Sequence, residues 1–325
     1  MVENISIGTP YDDVFRTLLN DCTSLIIPGV NEVFGEHYTG DENIKFLQNE
    51  HFINIQGMDT KEKITDSSFL IEGKTVKKYH IECQSTTDKS MMIRMFEYDS
   101  QIALDDCEIL NEKLILSFPN SAVIYLRHTR HTPSAMIIEI RTPGGNISYK
   151  IPVMKTQIYT SDAIFDKNLL FLIPFHIFCY ENRLKEYDND REKLQKLQSE
   201  YQKIRERLEQ MCIDGKISEY IKCTIVDMSK KVIENIAARY ANVKKEVSSI
   251  MGGKILEYEA KTILQNGIRE GKLQGIREGK MQGIREGIRE GEIKSYVGLV
   301  KDGLLNISEA AKRLEMSEEE LKKYL

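Results

Sequence analysis

The sequence predicts a mixed α/β domain, followed by a helical region and a repetitive tail. Up to residue 181, apolar residues recur with strand spacing in some segments and with helical spacing in others. From 182 to 259 the chain is highly charged and has a helical pattern, and from Gly267 to Gly291 glycine recurs at every fourth position. We therefore divide the chain into three parts, 1–181, 182–259 and 260–325.

The first part begins with an amphipathic helix and a hairpin. The apolar residues of 11–20 fall on one helical face, which predicts a helix packed against a core. Residues 64–84 contain two runs of strand-forming residues around Glu72-Gly73-Lys74, which predict an antiparallel hairpin with its turn at these three residues.

A second helix, over 90–110, and three further strands complete the predictions for this part. The strands are expected at 122–126, 136–141 and 148–159, and the last two are joined by a turn at Pro143-Gly144-Gly145-Asn146. The apolar run 169–180 contains Pro174 and His176 and is too short to span a bilayer. It predicts a buried core segment, and no membrane partner is expected.

Composition limits the class of protein and its partners. The chain has 325 residues, 29% of them charged, and a net charge of −5. Binding to nucleic acid would therefore require a local basic patch. The six cysteines form no Cys-x-x-Cys pair, and no basic region followed by an apolar run marks a secretory signal. We expect reduced thiols and a cytoplasmic location.

The predicted hairpin brings two carboxylates together. If the turn centres on Lys74, Asp66 lies opposite Glu82, and such opposed side chains have Cβ atoms roughly 4.5–5.5 Å apart. Two carboxylates at that separation can share a Mg²⁺ ion, which prefers oxygen ligands. Gln84 points to the same face of the strand as Glu82, so its amide could hold an attacking water or a phosphate oxygen.

Several motifs occur in a fixed order around these carboxylates. They are Asp12-Asp13-Val14-Phe15-Arg16, then Asp66, then Glu82-Cys83-Gln84-Ser85, then Arg94-Met95-Phe96-Glu97-Tyr98, and finally Pro174-Phe175 and the Gly-x-x-x-Gly tail. In this order and spacing the chain resembles the PD-(D/E)XK nuclease superfamily, and most closely its recombination-promoting nuclease, or putative transposase, branch. Two positions depart from the superfamily name, because Thr65 replaces the Pro and Gln84 replaces the Lys.

The resemblance implies a restriction-endonuclease-like core in αβββαβ order and metal-dependent hydrolysis of DNA phosphodiesters, associated with transposition or recombination. Asp66 and Glu82 would bind Mg²⁺ or Mn²⁺, with Gln84 as the third catalytic residue. Arg94 and Lys78 would contact DNA. A salt bridge on the helix is the alternative for Arg94. Further positive charge could come from Lys74, Lys77, Arg127, His128, Arg130 and His131.

Because Gln84 lacks the charge of lysine, a second reading stays open. In that reading the domain is a catalytically inactive nuclease fold that binds DNA or assembles with other copies. Metal binding at Asp66 and Glu82 distinguishes the two readings, because an inactive module does not need it.

The glycine repeat also leaves two alternatives. Each glycine costs a helix about 0.8–1 kcal/mol relative to alanine. A stripe of glycines lets a second helix approach closely, which favours a helix that forms homo-oligomers, most simply a dimer. A flexible charged linker is the alternative. The last residues, 307–325, predict two short helices, and Ser317 and Glu320 have capping-box spacing at the start of the second.

Overall fold

We describe the fold from a computed structural model. It describes residues 10–47, 50–53, 61–64, 67–86, 90–252, 287, 289, 291–314 and 316–324. The chain forms two compact units, Met1–Lys254 and Ile255–Leu325. The first unit combines helices with a mixed six-stranded sheet, so the prediction of a mixed α/β fold is confirmed.

Strands build the first unit around one large sheet and two small ones. Their bounds are β1 (Asn43–Phe46), β2 (Glu50–Ile53), β3 (Lys61–Ile64), β4 (Ser67–Glu72), β5 (Val76–Gln84), β6 (Glu108–Leu110), β7 (Lys113–Ile115), β8 (Asn120–Tyr125), β9 (Ala135–Thr142) and β10 (Gly145–Lys155). The large sheet has the order β1-β4-β5-β8-β10-β9, and β2–β3 and β6–β7 form separate two-stranded sheets. Within the large sheet, β5 pairs antiparallel with β4 and parallel with β8.

The hairpin of β4 and β5 has the predicted turn. Pairing runs from Glu72↔Val76 to Ser67↔Ile81, so the turn centres on Lys74. This is the register on which the predicted pairing of Asp66 with Glu82 depends. Asp66 itself lies outside the described residues.

Eight helices of the first unit are described, together with short 3-10 segments. They are α1 (Pro10–Asp21), α2 (Ile26–Phe34), α3 (Met91–Asp105), α4 (Ser161–Asp166), α5 (Leu184–Asn189), α6 (Arg191–Ile213), α7 (Glu219–Ile236) and α8 (Ala241–Ile250). Helix α6 begins where the Asp190 carboxylate accepts hydrogen bonds from the backbone N–H groups of Glu192 and Lys193, which satisfies two donors of the first turn.

The sheet is covered on both faces. On one face, apolar residues of α1, α6, α7 and α8 share a core with Phe69, Tyr79 and Ile81 of the hairpin. The 3-10 segment Leu170–Cys179 lies in that core with residues 170–178 buried, which confirms the predicted core segment. On the other face, Met91 and Met95 of α3 pack against β8, β9 and β10. The region 182–259 therefore contributes helices to the same core as the sheet.

Several boundaries differ from the prediction. The prediction of a helix over 90–110 is wrong beyond Asp105, because the chain continues there into strands β6 and β7. The two-residue turn between these strands, Asn111 and Glu112, has φ values of 50° and 61°, as a type I′ turn requires, and a helix cannot include such residues. Strand β10 was predicted to extend to residue 159, but it ends at Lys155, and a 3-10 turn begins at the next residue. Strands β1 to β3 were not predicted.

The second unit contains three short helices in its described part. They are α9 (291–301), α10 (Ile307–Arg313) and α11 (Glu318–Lys322). Ser317 and Glu320 form the predicted capping box. The glycine repeat up to residue 286 lies outside the described residues, so its role stays a prediction. Within the described parts of both units, no helix is long and apolar enough to cross a membrane.

Candidate functional site

Strand β5 separates an apolar face from a polar one. Side chains alternate along a strand, so Tyr79, Ile81 and Cys83 enter the core beside α1, whereas His80 and Glu82 point to the face covered by α3. Both of these polar side chains are buried, at 0% and 1% exposure. Because burial of a charge is costly unless it is paired, the partners of these two residues decide what the site can do.

His80 bridges two buried carboxylates. Its Nδ1 lies 2.7 Å from Oδ1 of Asp99 on α3, and its Nε2 lies 3.2 Å from Oε1 of Glu82. A carboxylate can only accept hydrogen bonds, so the ring can donate to both partners when both of its nitrogens carry a proton. Burial alone would lower the pKa of His80, but the hydrogen bonds to Asp99 and Glu82 outweigh it and raise the pKa to about 9.

Asp99 is held by donors from two further strands. Ser121 on β8 donates to Oδ1 over 2.6 Å, and Tyr149 on β10 donates to Oδ2 over 3.1 Å. Burial and the charge of Asp99 raise the pKa of Tyr149, so this phenol remains a donor at neutral pH. Asp99 is itself fully buried. Its orientation, and through His80 that of Glu82, is therefore fixed by the sheet.

Arg94 contacts the carboxylate oxygen of Glu82 that His80 does not contact. Its Nη2 lies 3.1 Å from Oε2 of Glu82, and its Nη1 lies 3.5 Å from Oε1 of Gln84, at the limit of a hydrogen bond. The Arg94 side chain is 31% exposed, unlike the other charged groups around it. We call His80, Glu82, Arg94 and Asp99 the buried network. Its two cations balance its two anions.

Lys78, predicted to bind DNA, lies two residues before His80 on the same face of β5. Its ammonium contacts Asp106 at 2.6 Å and also lies near the carbonyls of Ile102 and Ser117, and the side chain is only 10% exposed. The ion pair and the carbonyls hold this charge at the base of the β6–β7 hairpin.

Other cations of the predicted basic patch are also paired. Lys77 contacts Glu36 at 2.7 Å, and Arg127 contacts both carboxylate oxygens of Glu181 at 2.5 and 2.7 Å. A further nitrogen of Arg127 donates to the carbonyl of Ser85 just after β5. These cations therefore stabilise the fold around the site and present less charge to a nucleic acid than the sequence alone suggests.

Glu82 and Gln84 both present side-chain oxygens, and the Glu82 carboxylate also contacts the cations His80 and Arg94. Carboxylate and amide oxygens of Glu82 and Gln84 lie on one face of β5, and such oxygens are the ligands that Mg²⁺ prefers. Among the described residues, no group of three or more His, Cys, Asp and Glu side chains is arranged as a metal site. Asp66, the second predicted ligand, is not among those residues.

Sequence reasoning placed Glu82, Gln84 and Arg94 together, and the structure brings these three side chains into contact. It missed His80, Asp99, Ser121 and Tyr149. The sequence could have indicated His80, because this residue lies two positions before Glu82 and therefore shares its strand face. No local pattern marks the other three, which come from separate elements. Comparisons with protein-family models, curated proteins and solved structures find no match for this chain.

Proposed function

We propose that the chain is a metal-dependent DNA endonuclease of the PD-(D/E)XK type, associated with transposition or recombination. The observation that carries the proposal is the position of Glu82. Its carboxylate is held by His80 and Arg94 next to Gln84, on a strand paired with β4 in the register that the predicted hairpin site requires.

The order of elements supports this proposal. Helix α1, strands β1, β4 and β5, helix α3 and strand β8 occur along the chain in the αβββαβ order that the resemblance implies, with α2, β2, β3, β6 and β7 inserted between them. The first three strands are antiparallel neighbours, and β8 lies parallel to β5. An αβββαβ core of this kind places the third strand in the centre of the sheet, which is where Glu82 lies.

Each residue of the site has a distinct role in the proposed reaction. Glu82 and Asp66 would bind the metal ion, which when bound lowers the pKa of a water and stabilises charge on phosphate oxygens. Gln84 would orient the water or the phosphate through its amide. Arg94, the most exposed member of the buried network, can turn from Glu82 to a phosphate oxygen, whereas His80 stays behind Glu82 and holds it in place.

A second candidate is a catalytically inactive module that keeps the nuclease fold. One observation favours it, namely that Glu82 already faces two cations, His80 and Arg94. In that case the buried network stabilises the domain and binds no metal ion. Such a module could still bind DNA or other copies of the chain.

The test of the proposed function is cleavage of supercoiled plasmid by the full chain with Mg²⁺ or Mn²⁺. We expect cleavage by the wild type, and its loss with EDTA and in the variants Glu82→Gln and Asp66→Asn. Loss of a metal carboxylate should lower the rate at least about a hundredfold, since it removes several kcal/mol of transition-state stabilisation.

The matched control is Glu72→Gln. Glu72 lies on the same hairpin as Glu82, but at its turn end, where it forms an ion pair with Lys45 at the surface. This variant should cleave at the wild-type rate. An inactive wild type, or activity that survives Glu82→Gln, would reject the endonuclease and favour the second candidate.

A further inference from the structure

The β6–β7 hairpin lacks a core of its own. All residues from Glu108 to Phe118 are exposed, and the apolar side chains among them reach 79% exposure at Ile109 and 59% at Leu110. An isolated two-stranded hairpin is marginally stable in water, and a projecting group of apolar side chains marks an interaction site. The hairpin therefore has the features of a surface that another molecule covers.

One face of this hairpin carries two apolar and two charged side chains. Glu108 pairs with Ile115, and Leu110 pairs with Lys113, so these four side chains share a face. The two charges lie at opposite corners, and so do the two apolar residues. Glu108 and Lys113 form no ion pair with another residue of the described chain. The opposite face carries Ile109 and Leu114 and no charge from these strands.

This pattern is complementary to itself. Two copies could meet face to face around a two-fold axis that runs along the diagonal from Leu110 to Ile115. Each of these two residues would then contact the same residue of the other copy. The same rotation would place Glu108 against Lys113 of the other molecule, and Lys113 against the other Glu108. An isologous contact of this kind satisfies four charges and covers four apolar side chains with one patch. The strands of the two copies would cross at nearly a right angle, as in orthogonal sheet packing.

We propose that a second copy of this chain docks on the face formed by Glu108, Leu110, Lys113 and Ile115. The proposal does not depend on nuclease activity. It is also separate from any association through the glycine repeat. Because the hairpin is small, its contact falls at the low end of protein interfaces, so the dimer is weak and depends on concentration.

The first test is a charge swap, measured by sedimentation equilibrium of the full chain over a range of concentrations. Glu108→Lys and Lys113→Glu should each raise the dimer dissociation constant about tenfold, because each reverses two exposed attractions. The double variant Glu108→Lys with Lys113→Glu should restore the wild-type constant. Glu112→Lys is the control, since it makes the same charge change in the turn between the strands.

The second test compares the two faces of the same hairpin. Leu110→Asp places two carboxylates together on the axis and should abolish the dimer, whereas Ile109→Asp on the opposite face should leave it unchanged. A wild type that is monomeric at every concentration would overturn the proposal, and so would a double variant no tighter than the single ones. A dimer lost with Ile109→Asp but retained with Leu110→Asp would also overturn it, because the other face would then be the contact.

Discussion

Replacement of Asp99 by leucine is expected to lower the free energy of unfolding by about 3–5 kcal/mol. Asp99 is fully buried and accepts hydrogen bonds from His80, Ser121 and Tyr149. Leucine has the same branching of side-chain heavy atoms but no acceptor, so the substitution leaves the His80 ring and two hydroxyl groups buried without this partner. Urea denaturation of the wild type and the variant at neutral pH measures the difference.

Two further variants make this prediction specific. Asp99→Asn keeps an acceptor oxygen but loses the charge, so it should destabilise the protein less than Asp99→Leu. Asp105→Leu on the same helix removes an exposed carboxylate that contacts Gln101, and its effect should stay within about 0.5 kcal/mol. Equal stabilities for Asp99→Leu and Asp105→Leu would contradict the role given to the buried network.

The second large effect concerns His176, far along the chain from the buried network. Its Nε2 lies 2.7 Å from Oε1 of Glu200, its Nδ1 lies 3.9 Å from Sγ of Cys179, and Tyr180 also donates to Glu200. Burial lowers the pKa of His176, but its contacts with Cys179 and Glu200 outweigh this and raise the pKa to about 9.

The raised pKa gives a stability change with a definite sign. Folded protein holds the His176 proton more tightly than unfolded protein, in which the pKa is 6.5. The resulting stabilisation is complete below pH 6.5 and is lost as pH rises through about 9. A shift of this size corresponds to about 3 kcal/mol. Between about pH 6 and about pH 10, the wild type should therefore lose about 3 kcal/mol more stability than His176→Gln.

The measurement is urea denaturation of both proteins at the two pH values. Other groups that titrate in this range and do not contact His176 are present in both proteins and cancel in the comparison. His80 is among them, because its pKa is also raised. The same loss in His176→Gln as in the wild type would show that the His176–Glu200 pair contributes no pH-dependent stability.

Local patterns were sufficient to predict the elements that carry the site. The hairpin of β4 and β5 follows from its strand formers and from the turn around Gly73, and α1 follows from one apolar face. Helix α6 lies in the charged region 182–259, whose pattern predicted helices, and its observed start is explained by the capping side chain of Asp190. These features depend on neighbours in sequence, so sequence reasoning can find them.

Features that depend on distant partners were not predictable in this way. The segment after Asp105 has apolar residues with ambiguous spacing, and only the left-handed residues Asn111 and Glu112 decide in favour of a hairpin. Asp99 looks like an ordinary residue of a helix until α3 packs on the sheet. Its contact with His80 joins residues 19 positions apart, and no spacing rule connects them.

The ion pairs of the basic residues around the site could not be predicted from the sequence either. From sequence, Lys77, Lys78 and Arg127 could all belong to a basic patch for DNA, but each has an acidic partner in the structure. Pairing of surface charges depends on which loops meet, so composition alone overestimates the positive charge that is available.

Titration calorimetry of Mn²⁺ into the full-length wild type, Glu82→Gln and Glu72→Gln tests the proposed role of Glu82 most directly. We expect the wild type and Glu72→Gln to bind the ion with equal affinity, and Glu82→Gln to bind it at least about tenfold more weakly, because a neutral amide replaces a charged ligand. Equal Mn²⁺ binding by Glu82→Gln and the wild type, or no binding by any of the three proteins, would contradict a metal site at Glu82.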